Sequence, residues 1–137
     1  MLIGVPKEIK SDEYRIGLTP ESVEMLTQSG HEVMIEQNAG LGIGKDNKAY
    51  EDAGAEIVST REEIFQRAEM IIKVKEPQLD ECALLRSDQI LFTYLHLAPD
   101  PEQVKALLAS GCRAIAYESV KADDGSYPLL TPMSEVA

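Results

Sequence analysis

Met70-Ile71-Ile72-Lys73-Val74-Lys75, followed at once by Glu76-Pro77, reads as a β-strand that ends on a cation. A second run, Ile90-Leu91-Phe92-Thr93-Tyr94-Leu95, ends on His96, just ahead of Ala98-Pro99. Short apolar runs rich in β-branched and aromatic residues suit strands buried on both faces, as in a parallel sheet. In open α/β sheets, ligands lie in the crevice beyond the carboxyl ends of the strands. A lysine and a histidine delivered there by neighbouring strands suit a small anionic molecule and the movement of a proton.

Strands and helices alternate around these two runs. Leu2 to Val5 is a short apolar strand closed by Pro6. Thr19-Pro20-Glu21 starts a helix: Thr19 caps it, Pro20 suits the first helical position and Glu21 the positive end of the dipole. Gly30 ends that helix, and His31 to Glu36 is the next strand. A glycine-rich stretch, Asn38 to Gly44, precedes a short helix from Asp46 to Ala53 and a brief strand from Ala55 to Val58. Thr60-Arg61-Glu62-Glu63 is a capping box that opens a helix to about Ala68. Asp80 to Arg86 reads as helix and Gln89 to Leu95 as the strand that reaches His96. Asp100-Pro101-Glu102 starts another helix, ended by Gly111, and Cys112 to Tyr117 is a further strand before Glu118. This alternation predicts an α/β fold: right-handed crossovers, a mostly parallel sheet and helices on both faces, a three-layer Rossmann- or flavodoxin-like architecture. The tail from Ala122 to Ala137 is loop-rich, and Ser134-Glu135-Val136-Ala137 reads as the opening of a helix.

The 137 residues suit one domain and bury a real core. Thirteen basic residues against 24 acidic ones give a net charge of −11. That field repels a phosphate backbone, and no basic stripe overrides it, so nucleic acid is not an expected partner. Cys82 and Cys112 stand far apart and outside any Cys-x-x-Cys pair, so they read as free thiols rather than a disulfide or metal site. The opening apolar run is too short for a signal peptide, and no stretch is long enough to span a membrane, which makes the cytoplasm the expected compartment.

Gly40-Leu41-Gly42-Ile43-Gly44-Lys45 invites a nucleotide-loop reading and fails it. Its third glycine comes too early for a dinucleotide fingerprint, and Asp46 stands where a phosphate loop needs Ser or Thr, so a flexible turn is expected. Lys73 and Lys75 fall on one side of an ideal strand. A lysine near a strand end is often only a solvated edge charge, but here the flanking residues are apolar. His96 can be a hydrogen-bonded structural residue or, past a central strand, an acid/base. His31 has no such argument. Arg15 lies in the polar stretch Lys10 to Gly17, which leaves the first strand at the same edge. Read alone it is a surface arginine; read with Lys75 and His96 it is the anchor for a keto acid, since guanidinium grips carboxylate through two parallel hydrogen bonds. Glu118 and Tyr94 are candidates for supporting roles, while Asp12-Glu13 and Asp123-Asp124 read as solvated loop acids.

Five motifs then resemble bacterial alanine dehydrogenase in the same order: Gly4-Val5-Pro6-Lys7-Glu8, Glu13-Tyr14-Arg15-Ile16-Gly17-Leu18-Thr19-Pro20, Lys73-Val74-Lys75-Glu76-Pro77, Thr93-Tyr94-Leu95-His96-Leu97-Ala98, and Pro132-Met133-Ser134-Glu135-Val136-Ala137. The likeness runs from end to end. The related nicotinamide nucleotide transhydrogenase alpha subunit shares the opening motif, but that family typically replaces the residues at Lys75 and His96.

The resemblance implies that residues 1–137 are an N-terminal substrate-binding domain. The implied reaction takes L-alanine, NAD⁺ and water to pyruvate, ammonium and NADH, reversibly. Arg15 would bind the substrate carboxylate, Lys75 the carbonyl or imine end, and His96 would be the acid/base. Ser134, with Met133 beside it, would contact the nicotinamide cofactor, NAD being held mainly by a second, Rossmann domain that this sequence does not supply. A homo-oligomer, a hexamer or another, is also implied. By that reading these residues alone do not transfer hydride. The open alternatives are a stand-alone keto-acid-binding module, an inactive remnant and a transhydrogenase-type subunit.

Overall fold

The computed structural model of the chain describes residues 1–136, and side chains as far as Met133. Six strands, β1 (Leu2–Val5), β2 (Glu32–Glu36), β3 (Glu56–Val58), β4 (Met70–Ile72), β5 (Ile90–Thr93) and β6 (Arg113–Ala116), form one sheet. Every pairing is parallel and the spatial order is β3-β2-β1-β4-β5-β6. This is the doubly wound order in which the chain starts centrally, winds out to one edge, then returns to wind toward the other.

The helices are α1 (Pro20–Gln28), α2 (Asn47–Asp52), α3 (Arg61–Arg67), α4 (Leu79–Cys82), α5 (Pro101–Ser110) and α6 (Leu130–Val136). The helix starts read from sequence are capped: the side chains of Thr19, Asp46, Thr60 and Asp100 each accept a backbone N–H of their helix's first turn, though at Thr60 only this arm of the expected capping box forms, the Glu63 carboxylate pairing with Arg67 instead. Strand alternation splits the core in two. Ile3, Val5, Val33 and Ile35 pack with Val23 of α1 and Tyr50 of α2. Met34, Ile71 and Leu91 pack on the opposite face with Ile64 and Phe65 of α3, Cys82 of α4 and Leu107 of α5. Helices therefore cover both faces, as the alternation predicts.

Two strands end earlier than their apolar runs, for one reason. The Lys73 N–H still donates to Phe92 O across the ladder at 3.1 Å. The next two N–H groups, of Val74 and Lys75, donate instead to the Glu8 carboxylate at 3.3 and 3.0 Å. Past β5, the N–H groups of Leu95 and His96 donate to the Glu118 carboxylate. A side-chain acceptor replaces the neighbouring strand, and the chain turns out of the sheet. Lys73 and Lys75 are consequently not paired on one strand face: Lys73 is buried and Lys75 half-buried. The helix expected to reach Arg86 closes at Cys82, because the Leu84 and Leu85 amides bond three residues back and tighten the chain into turns. Both cysteines are free, with Cys82 buried.

Candidate active site

At the centre of the sheet β1 runs beside β4, and β4 beside β5. Their carboxyl ends feed three loops: residues 6–19, 73–78 and 94–100. A cleft of about 380 Å³ opens there, lined in part by Arg15, Ile72, Phe92, Tyr117, Leu129 and Met133. That volume falls within the range of about 300–1,000 Å³ usual for small-molecule sites.

Arg15 reaches the cleft from the loop after β1, and its direction is set by Glu13. The Glu13 carboxylate accepts Arg15 Nε at 2.9 Å, Nη2 at 2.8 Å and the Arg15 backbone N–H at 3.0 Å. The Glu13 side chain is only 5% exposed, against 38% for Arg15, so Glu13 is a buried brace rather than a solvated loop acid. Burial works against its charge, but the hydrogen bonds from Arg15 outweigh that, and the carboxyl stays below its ordinary value with help from the Lys75 ammonium. The bridge in turn raises the Arg15 pKa. Nη1 donates to no partner among the described residues, which leaves one edge of the fork for an incoming anion.

The same loop is fixed from outside by the glycine-rich segment. That segment is not a loose turn: residues Leu41–Ile43 form a 3₁₀ turn packed against Tyr14. A Cβ at Gly42 would lie 2.2 Å from Tyr14 O, closer than any side chain can be accommodated against backbone. Gly42→Ala is therefore expected to push the Arg15 loop outward. Thermal melting and pyruvate calorimetry should both register it, with a loss of about 1–3 kcal/mol in stability, the scale of overpacking. An unchanged melting temperature would contradict that close approach.

Lys75 stands on a clamped backbone. Glu8 accepts its N–H, the Thr93 hydroxyl donates to its carbonyl at 2.7 Å, and the Tyr117 hydroxyl donates to the carbonyl of Val74. Burial raises the Tyr117 pKa, partly offset by the Arg15 charge, so its hydroxyl stays a donor. Glu8 also pairs with the Lys73 ammonium at 3.1 Å, and Lys73 pairs with Glu81 at 3.3 Å. All three side chains are at most 1% exposed. A buried ion triad thus underlies the loop that presents Lys75.

The Lys75 ammonium lies 5.0 Å from the centroid of the Tyr94 ring, within cation–π range. Tyr94 stacks on His96, centroids 5.6 Å apart and planes 14° from parallel. Tyr94 also sits 6.4 Å from Tyr117, whose ring is 5.6 Å from Phe92. An aromatic cluster therefore joins Lys75, His96 and the wall of the cleft. Lys75 does not line the cleft that Arg15 enters, and its charge is the least of the influences on Glu13. His96 does not line the cleft: it is exposed, opens onto a separate depression beside Glu118 and Ser119, and is linked to Lys75 through the Tyr94 ring. Met133 lines the cleft from α6; the side chain of Ser134 lies outside the described residues.

The pattern of a known family, "Alanine dehydrogenase/PNT, N-terminal domain", matches residues 4–137. The chain belongs to that family. The alanine dehydrogenase of Methanococcus maripaludis is 57% identical over all 137 residues, and that of Bacillus subtilis 53%. This alanine dehydrogenase/PNT N-terminal domain covers only 37% and 36% of those two relatives' length. Its fold superimposes on a solved L-alanine dehydrogenase with a TM-score of 0.95 at 50% identity, over 100% of this chain and 38% of the other. A transhydrogenase from Sinorhizobium meliloti gives 0.80 at 28% identity, over 86% of this chain and 34% of the other.

Sequence reasoning on the alanine dehydrogenase/PNT N-terminal domain had no roles for Glu8, Glu13 or Tyr117. Glu8 carried a usable signal, since it follows β1 at the edge that supplied Lys75 and His96. Glu13 and Tyr117 carried none: an acid two residues from an arginine, or a tyrosine at a strand end, is too common to single out.

Proposed function

We propose that this domain is the substrate-binding and acid/base part of an NAD-dependent L-alanine dehydrogenase, interconverting L-alanine, NAD⁺ and water with pyruvate, ammonium, NADH and a proton. The observation that carries the reading is the Lys75–Tyr94–His96 array, with a braced Arg15 on the loop after β1 at the same carboxyl edge of a parallel sheet. The higher identity to alanine dehydrogenases than to the transhydrogenase favours this reading over a transhydrogenase-type subunit.

In this reading the free edge of Arg15 takes the substrate carboxylate. The Lys75 ammonium donates to the oxygen or nitrogen on the neighbouring carbon and stabilises charge that builds there. A ring nitrogen of His96 takes the proton of the water that adds to the imine, and returns it when ammonia leaves. Ile72, Leu129 and Met133 give the cleft an apolar wall suited to a flat nicotinamide ring, and Ser134, next to Met133 in the sequence, is the proposed cofactor contact. NAD supplies the hydride acceptor when bound, and most of its binding belongs to another domain. A cytoplasmic homo-oligomer, a hexamer or another, completes the proposal. No helix among the described residues is long and apolar enough to cross a membrane.

The test is an NADH-linked pyruvate/ammonium assay of the chain with and without an NAD-binding half. Activity that needs both parts supports the reading; none in any combination rejects it. Calorimetry on Arg15→Ala and Lys75→Ala probes the anchor. A hydrogen bond to a charged group contributes about 1.5–3 kcal/mol, so each should weaken pyruvate roughly ten- to a hundredfold. Unchanged affinity in both removes the anchor assignment.

A further inference from the structure

We infer that Glu118 is a positioning residue for His96, acting through the backbone rather than on substrate. The inference rests on the function proposed above. Glu118 Oε2 accepts the N–H of Leu95 at 2.9 Å and of His96 at 3.2 Å, and Oε1 accepts Leu95 at 3.2 Å. Two successive N–H groups thus converge on one carboxylate, the concave arrangement that otherwise receives an anion.

The backbone there is unusual. His96 has φ of 42°, in the left-handed region that side chains bearing a Cβ rarely adopt. The other two such non-glycine residues among those described, Asp12 and Asn38, are short polar residues in turns, the types that tolerate it best. At His96 a ring-bearing side chain is held that way, and strain of this kind persists only where surroundings impose it. The same turn lays the imidazole along Tyr94, and through Tyr94 beside the Lys75 ammonium. Glu118 is the acceptor the turn closes on.

Its own anchorage fits the role. Glu118 sits in the 3₁₀ turn Tyr117–Ser119, and the neighbouring Tyr117 hydroxyl donates to Val74 O in the loop that carries Lys75. One short turn after β6 therefore holds both functional loops, Tyr117 the first and Glu118 the second. If the turn moves, the spacing between Lys75 and His96 moves with it.

The test uses the enzyme that contains this domain, with Glu118→Met to remove the acceptors at similar bulk and Glu118→Gln to keep one. Glu118→Met should lower kcat at least thirtyfold while KM for pyruvate changes less than threefold, because Arg15 and Lys75 are untouched. Glu118→Gln should recover at least tenfold of that loss. A backbone amide spectrum gives a readout independent of turnover: the Leu95 and His96 amide protons should move upfield in Glu118→Gln, where the charge is gone. A Met variant within threefold of wild type, a Gln variant as impaired as Met, or unshifted amides in folded Glu118→Gln would each overturn the inference. Should Glu118→Met not fold, the Gln spectrum still decides it. His96→Ala in the same assay separates the two levels: if that variant is active, the proposed function fails; if it is inactive and Glu118→Met is not, only the present inference does.

Discussion

His96→Ala should lower turnover by about 10² to 10⁴-fold, the usual contribution of a positioned acid/base. The size of the effect follows from how little else the ring does. His96 is exposed, and its ring contact is the stack on Tyr94. Removing it opens no cavity and strands no buried charge, so the melting temperature should stay close to wild type, as for most surface substitutions. KM for pyruvate should change little, since its carboxylate is assigned to Arg15 and its carbonyl oxygen to Lys75. Because the site is open, added imidazole should restore part of the lost rate. The check is steady-state kinetics in both directions with melting curves on the same preparations. Near-normal turnover would take His96 out of the mechanism.

Lys73→Met should cost about 3–5 kcal/mol of folding stability at neutral pH, the scale of breaking a buried ion pair from one side. Lys73 is 2% exposed and faces two carboxylates that are buried with it. Burial already raises the Glu81 pKa, and the Lys73 charge is the main influence pulling it back. Without that charge, Glu81 loses the main influence holding its carboxyl down, and it rises further above its unfolded value. A carboxyl raised on folding binds its proton more tightly in the native state, so stability is lost as pH climbs through the folded pKa and regained as pH falls through it. The gap between variant and wild type should therefore narrow as the pH drops from 7 toward 5. Urea melts across that range would show it, and a loss below about 1 kcal/mol at pH 7 would mean the triad is not coupled as described.

The architecture was legible in the sequence because its cues are local. Thr19-Pro20, Asp46, Thr60 and Asp100-Pro101 mark helix starts through a hydrogen bond to the first turn, and the caps lie where those residues stand. Lys75 and His96 could be proposed because an ionisable residue after an apolar run contradicts its surroundings. Where the strands stop was not legible. β4 ends at Ile72 because an acid 64 residues earlier captures the following amides, and β5 ends at Thr93 because an acid 25 residues later does the same. Nothing within either run announces such a partner. Glu13 was misjudged for the same reason: its burial is created by the loop that folds over it, and composition counts it merely as another acid.

The triad under the Lys75 loop sets a limit on how this domain can be made hardier. Exchanging a buried ion cluster for well-packed apolar side chains is often neutral or stabilising. A selection for heat resistance alone would drift toward that exchange at Glu8, Lys73 and Glu81. Yet Glu8 Oε2, which meets Lys73, also accepts the Val74 amide that leaves β4, and Oε1 of the same carboxylate fixes the amide of Lys75. A variant so toughened would resist boiling and grip its acid poorly, so the trade between robustness and activity in this domain runs through a single glutamate.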